Sequence, residues 1–195
     1  NLFGFQNLTF VEIRTFVMII IMYFTASRFD CMSNVKLSNV TYANDFIKIV
    51  VPFSKTDQSG EGQIVYVPHI KFYDPHAMLC NYIRILKAED DSFLFPSQKY
   101  DKCKKSWNVK FNQKIKYGAA YNSFKSFLKK FGIDSTFYGL HSMRIGGVTD
   151  MFEKKMPSKV IDRYGRWKSA NTKFVYKKHE EDFYKKHLKI FVNSL

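Results

Sequence analysis

Between Leu140 and Tyr176 the chain reads LHSMRIGGVTDMFEKKMPSKVIDRYGRWKSANTKFVY, and four of its residues can do chemistry in concert. His141 and Arg144 stand three apart, a spacing that sets both side chains on one helix face within reach of a common target. A guanidinium is a fixed cation with a planar donor fork, and an imidazole can accept or release a proton near neutrality. Trp167 adds an indole N–H that donates but cannot shuttle a proton. Tyr176, nine residues further on, brings a hydroxyl that ionises near pH ~10 unless its surroundings help. This is the composition of a site for an anion.

Such a site needs elements to hold it. Gly146 and Gly147 interrupt the run after Arg144, and paired glycines inside a helical pattern point to close backbone packing. Val148 to Phe152 continue an apolar face, and Met156-Pro157-Ser158 reads as a stop followed by a new N-terminus, with Val160 and Ile161 opening the next helix. Gly165-Arg166-Trp167 ends that helix.

Upstream, Thr9 and Glu12 have capping-box spacing, and Thr15 to Ala26 is nearly all apolar, which predicts a buried central helix too short to span a bilayer. Arg28 closes that stretch. An arginine there needs a partner; Asp30 could pair with it, or its fork could clamp a phosphate. Val35 to Val40 can finish a short helix. Phe46 to Phe53 and Gln63 to Pro68 are β-branched runs of strand length around a polar turn, a β-hairpin that carries Lys55 where its first strand ends. A lone lysine on a hairpin is normally solvated surface. Asp74-Pro75-His76 caps a helix to about Lys87, and Gln98 to Lys116 is basic and polar, a solvated loop and helix face or a contact to a DNA backbone. A helix from about Gly118 to Phe131 ends at Gly132.

In this order, His141, Arg144, the Gly165-Arg166-Trp167 element and Tyr176 resemble the C-terminal motifs of the tyrosine recombinases, most nearly those of Crypton and DIRS-type mobile elements and of virus-borne integrases. The resemblance extends from about Thr9 to Tyr176. It implies a mostly α fold with a small antiparallel β-sheet or hairpin, the α+β arrangement of the tyrosine recombinase catalytic domain. It makes Arg28 and Arg144 the grips on a scissile phosphate. Lys55, 27 residues after Arg28 and preferred over Lys48, becomes the general acid, and Trp167 a hydrogen-bond donor to the phosphate. Tyr176 is the nucleophile, with His141 able to take its proton. Family members carry an acidic residue three after the first arginine; here Cys31 stands at that position and Asp30 one before it. The implied reaction yields a 3′-phosphotyrosyl link and needs neither metal nor ATP. A type IB topoisomerase shares the chemistry, but that family usually has lysine where His141 stands and histidine where Trp167 stands. A recombinase domain retired to DNA binding is the other alternative, and such domains tend to lose the nucleophile or a clamp arginine.

Composition agrees with a nucleic-acid partner. The 195 residues carry 31 Lys and Arg against 17 Asp and Glu, a net charge of +14. That length suffices for one domain, residues 1–195, with 177–195 as a charged helical tail that neighbouring protomers could exchange. The chain opens on Asn1, so a fragment is expected, its N-terminal DNA-binding domain lying outside it. Cys31, Cys80 and Cys103 have no paired spacing, which excludes a disulfide framework and fits a reducing intracellular compartment. The five histidines form no evident ligand cluster, so no cofactor and no metal is expected. Double-stranded DNA and a tetramer on DNA are the expected partners, with no membrane and no small-molecule substrate. Localisation follows the DNA, in a nucleus or a cytoplasm according to host.

Overall fold

The computed structural model describes residues 7–43, 45–52, 62–71 and 74–165. The fold is mostly helical with two small antiparallel sheets. At its centre lies α1 (Phe10–Phe24), whose Val17, Met18, Ile21 and Met22 are buried. The Thr9 hydroxyl accepts from the Glu12 N–H while the Glu12 carboxylate accepts from the Thr9 N–H, closing the capping box that the sequence predicts. Lys130 reaches the same carboxylate at 2.7 Å, and these donors draw the Glu12 pKa down to about 2.

Around α1 pack α3 (Pro75–Leu86), α4 (Tyr117–Lys130) and α5 (Ser142–Glu153), followed by α6 (Ser158–Gly165). Helix α3 starts on an Asp74 cap with Pro75 in its first turn and buries Met78, Leu79, Tyr82 and Leu86. Tyr82 is fully buried between Phe10 and Phe95, its hydroxyl donates to the Leu94 carbonyl at 2.9 Å, and burial pushes its pKa up. Helix α4 ends in a Schellman turn. Gly132 N–H donates to the Lys129 carbonyl and Ile133 N–H to that of Leu128, with Gly132 at φ +71°.

The chain leaves α1 through a short α2 (Phe29–Ser33). The helix expected to finish between Val35 and Val40 does not form. Leu37–Asn39 is a single 3-10 turn, and Val40 opens β1 (Val40–Tyr42). That strand pairs with β2 (Phe46–Val51), which pairs with β3 (Gln63–Pro68). Ile47, Ile49 and Val51 point into the core from β2 and Val65 and Val67 from β3, the period-two burial of a half-covered sheet.

A second correction concerns residues 98–116. They form no loop and helix face but a β-hairpin of their own, β4 (Pro96–Asp101) against β5 (Ser106–Lys114). Trp107, Val109 and Phe111 alternate with polar residues along β5, a strand pattern masked by the lysines around it. The hairpin is largely exposed: Trp107 has 63% of its surface in solvent and stacks at a tilt on Tyr100, 5.3 Å between ring centroids. No described helix is long and apolar enough to cross a membrane.

Candidate functional site

Three of the six sequence-predicted site residues, Arg28, His141 and Arg144, lie in the described structure. Lys55, Trp167 and Tyr176 lie outside the described residues.

The site begins where α1 stops. Ala26 takes φ +47°, its N–H donates to the Tyr23 carbonyl, and the Ser27 N–H donates to that of Met22, a Schellman turn with alanine in place of glycine. The left-handed backbone costs alanine about 1–2 kcal/mol. The methyl group recovers part of that by lying fully buried against Val148, Met151 and Ile161. Two residues later Arg28, half-buried, stands at the N-cap of α2. It therefore begins an element rather than closing α1, and no ion pair joins it to Asp30, which is exposed.

Helix α5 supplies the other two. His141 caps it with a backbone already helical (φ −74°, ψ −21°), and its carbonyl accepts from Ile145 N–H at 3.2 Å. The three-residue spacing to Arg144 thus works as a helical spacing. Arg144 is completely buried; one terminal nitrogen donates to the Ala26 carbonyl and the other to the Gly165 carbonyl. A buried guanidinium with both arms hydrogen-bonded is held in one plane. Here that plane ties the end of α1 to the end of α6. Burial, then the charge of Arg144, then that of Arg28 lower the His141 pKa below its usual value of 6.5. Both arginine fields therefore reach one imidazole, which is mostly neutral at pH 7.

The glycine pair explains how α5 comes so near. A Cβ on Gly147 would stand 2.1 Å from the Tyr23 carbonyl oxygen, an impossible contact, and one on Gly146 would crowd the Tyr23 ring at 3.2 Å. Burial, then the charge of Asp150 on α5, push the Tyr23 pKa up to about 12. The close packing read from Gly146-Gly147 is present, and its partner is Tyr23.

This fold and these motifs have relatives. The model of the phage integrase family matches residues 3–182, nearly the whole chain. The chain belongs to the phage integrase family. Among solved structures, this integrase-family chain is similar to the XerH site-specific recombinase bound to palindromic difH substrate in a post-cleavage complex. There the TM-score is 0.67 at 18% identity, over 95% of this chain and 48% of that one. It is also similar to XerA recombinase, with a TM-score of 0.61 at 18% identity, over 91% of this chain and 61% of that one. A third is the Tn1549 transposon integrase in complex with circular intermediate DNA, at 0.58 and 13% identity over 90% and 59%. The fold is thus that of the tyrosine recombinase catalytic domain, and the chain spans about half to three-fifths of those relatives. No curated protein matches the chain closely enough to count.

One group escaped the sequence. The histidines were expected to form no ligand cluster, yet a nitrogen of His69, an oxygen of Asp74 and a nitrogen of His76 lie within 4.8 Å of one another. The separation of His69 from His76 hid it, because their meeting depends on Asp74, which caps α3 and pairs with His69. The one local signal was His76 and Cys80, four apart on α3.

Proposed function

We propose that the protein is a site-specific DNA recombinase that cuts and rejoins duplex DNA through a 3′-phosphotyrosyl intermediate. The observation that carries this reading is that Arg144 bonds the Ala26 carbonyl, two residues before Arg28, with His141 at the start of the same helix as Arg144, in a family member. Two guanidinium groups and an imidazole fit a scissile phosphate, whose non-bridging oxygens gain negative charge as the pentacoordinate transition state forms. Arg28 and Arg144 grip those oxygens; for Arg144 this means exchanging a backbone carbonyl for a phosphate oxygen. His141, held neutral by burial and then by its cationic neighbours, takes the proton of Tyr176 as that hydroxyl attacks. Lys55 protonates the departing 5′ oxygen, and Trp167 donates a hydrogen bond to the phosphate. Attack by a 5′ hydroxyl of another duplex then reseals the strand. The phosphotyrosine conserves the bond, so neither ATP nor a metal enters these steps.

In this reading residues 1–195 are one catalytic domain, a core-binding domain in the parent protein completes a clamp around the duplex, and four protomers assemble on DNA. The tail at 177–195 couples neighbouring subunits. The net charge of +14 supports the DNA partner. The likeness to a transposon integrase and the motif wording support a mobile or viral element, of Crypton or DIRS type, as the DNA moved, with localisation wherever that DNA resides.

The test uses the full-length parent protein and DNA bearing its element ends, with a nick placed to trap cleavage. The reaction is run in EDTA and quenched in detergent. A protein–DNA adduct at a 3′ end that disappears in Tyr176→Phe is the expected result. Tight binding to the correct site without any adduct would instead identify a retired DNA-binding module.

A further inference from the structure

The chain leaves β3 at Pro68 and enters α3 at Pro75, and the group that organises this junction is not used by any step above. Asp74 is 4% exposed, and one of its carboxylate oxygens accepts from the backbone N–H groups of Ile70 (3.3 Å) and His76 (3.0 Å). Its second oxygen faces the His69 imidazole. His69 Nδ1–H donates to it at 2.6 Å, and the His69 and His76 rings meet edge to face at 5.6 Å between centroids.

The tautomer of His76 follows from its other neighbour. Its Nε2 lies 3.2 Å from the Ala43 carbonyl, which can only accept, so Nε2 carries the proton and Nδ1 offers its lone pair. Cys80 Sγ lies 3.8 Å from that Nδ1. Metal-bound histidines are commonly oriented in this way, by a carbonyl that takes the other ring N–H.

We propose that His69, Asp74 and His76 form a binding site for one zinc-class divalent cation. Zinc bonds of about 2.0–2.1 Å to nitrogen and oxygen place neighbouring tetrahedral ligands roughly 3.4 Å apart. The three donor atoms lie within 4.8 Å of one another, near that spacing, and the His69 ring is exposed and free to adjust. Binding replaces the proton on His69 Nδ1, which is released to solvent. Two nitrogens and one oxygen, with a thiol beside one of them, favour zinc or cobalt over the oxygen-seeking calcium and magnesium. The site lies at the end of the β2–β3 ribbon away from the connection that contains Lys55, and Ala43 links it to the β1–β2 turn. The ion would tie strand exit, turn and helix start into one unit. It is structural, and the proposal stands independently of strand cleavage.

The intact protein, stripped with chelator and dialysed, is titrated with ZnCl2 while stoichiometry and thermal midpoint are followed, beside His69→Gln and His76→Gln. His69 has 57% of its side chain in solvent, so its variant keeps the fold. One zinc per chain and a rise of about 5 °C in Tm are expected in the wild type, with both lost in His69→Gln and in His76→Gln. No uptake at 100-fold molar excess, or equal uptake by the variants, would overturn the site and leave an ordinary His–Asp ion pair at a helix cap. With cobalt as the probe, the wild type should show the intense visible absorption of a tetrahedral centre; weak octahedral absorption would also overturn it.

Discussion

Two arginines lie sealed among the described residues, and they behave differently. Arg144 is wholly buried with two carbonyl partners, and its charge and that of Arg28 add to burial in lowering the His141 pKa. Arg14, 3% exposed on the opposite side of α1, is solitary. It donates to the Pro96 carbonyl at 2.5 Å and lies 5.8 Å over the Phe10 ring; its Nε has no hydrogen-bond partner. Burial without a second charge lowers its pKa. Beside it runs a cleft of about 950 Å³, lined also by Trp107, Lys114, Lys116 and Ile115. Burial of a cation alone therefore does not mark a reacting centre. In the proposed reaction Arg144 acts together with Arg28 and His141, whereas Arg14 is a strut between α1 and β4.

If that distinction is right, the largest loss comes from Arg144→Lys. A lysine keeps the charge but gives up the fork, and cleavage in a single-turnover assay should fall about 10²–10³-fold. Gly147→Ala tests the close approach of α5 to Tyr23. Its Cβ meets a backbone oxygen, so stability should drop by about 3 kcal/mol, roughly 6–12 °C in Tm, read by calorimetry. For His141, the folded pKa lies below 6.5, so the unfolded chain binds the proton first as pH falls. Stability from this group is complete above 6.5 and declines as pH drops through the folded pKa. Cleavage should rise with pH through a midpoint below 6.5, and His141→Gln should flatten that step at about a tenfold cost in rate. The smallest effect belongs to Arg14→Met. Replacing a lone buried cation by an apolar chain of similar length should cost no more than about 1 kcal/mol in denaturant melts and leave cleavage unchanged. A large loss of cleavage there would break the contrast.

Much of the site half was legible because its signals are local. A capping box, a Pro–Ser helix start and a Gly132 stop are all decided within a few residues, and the structure has them where the sequence implied. The misses depended on distant partners. Residues 98–116 are polar enough to look like loop, and only cross-strand pairing, such as Tyr100 with Trp107, makes them a sheet. Arg14 looks like an ordinary exposed arginine until Pro96, 82 residues away, covers it. The three-way meeting of His69, Asp74 and His76 likewise depends on how one turn closes.

The turn at Ala26 has a consequence for how such a site can evolve. Its carbonyl anchors Arg144, and two residues later the same backbone delivers Arg28. Both cations thus share a support three residues long, so neither can be re-aimed without dragging the other. Variation there is nearly all-or-none, while the exposed β4–β5 hairpin carries no such linkage. Laboratory selection for altered behaviour should accumulate its tolerated changes on the hairpin and return the Ala26 turn unaltered.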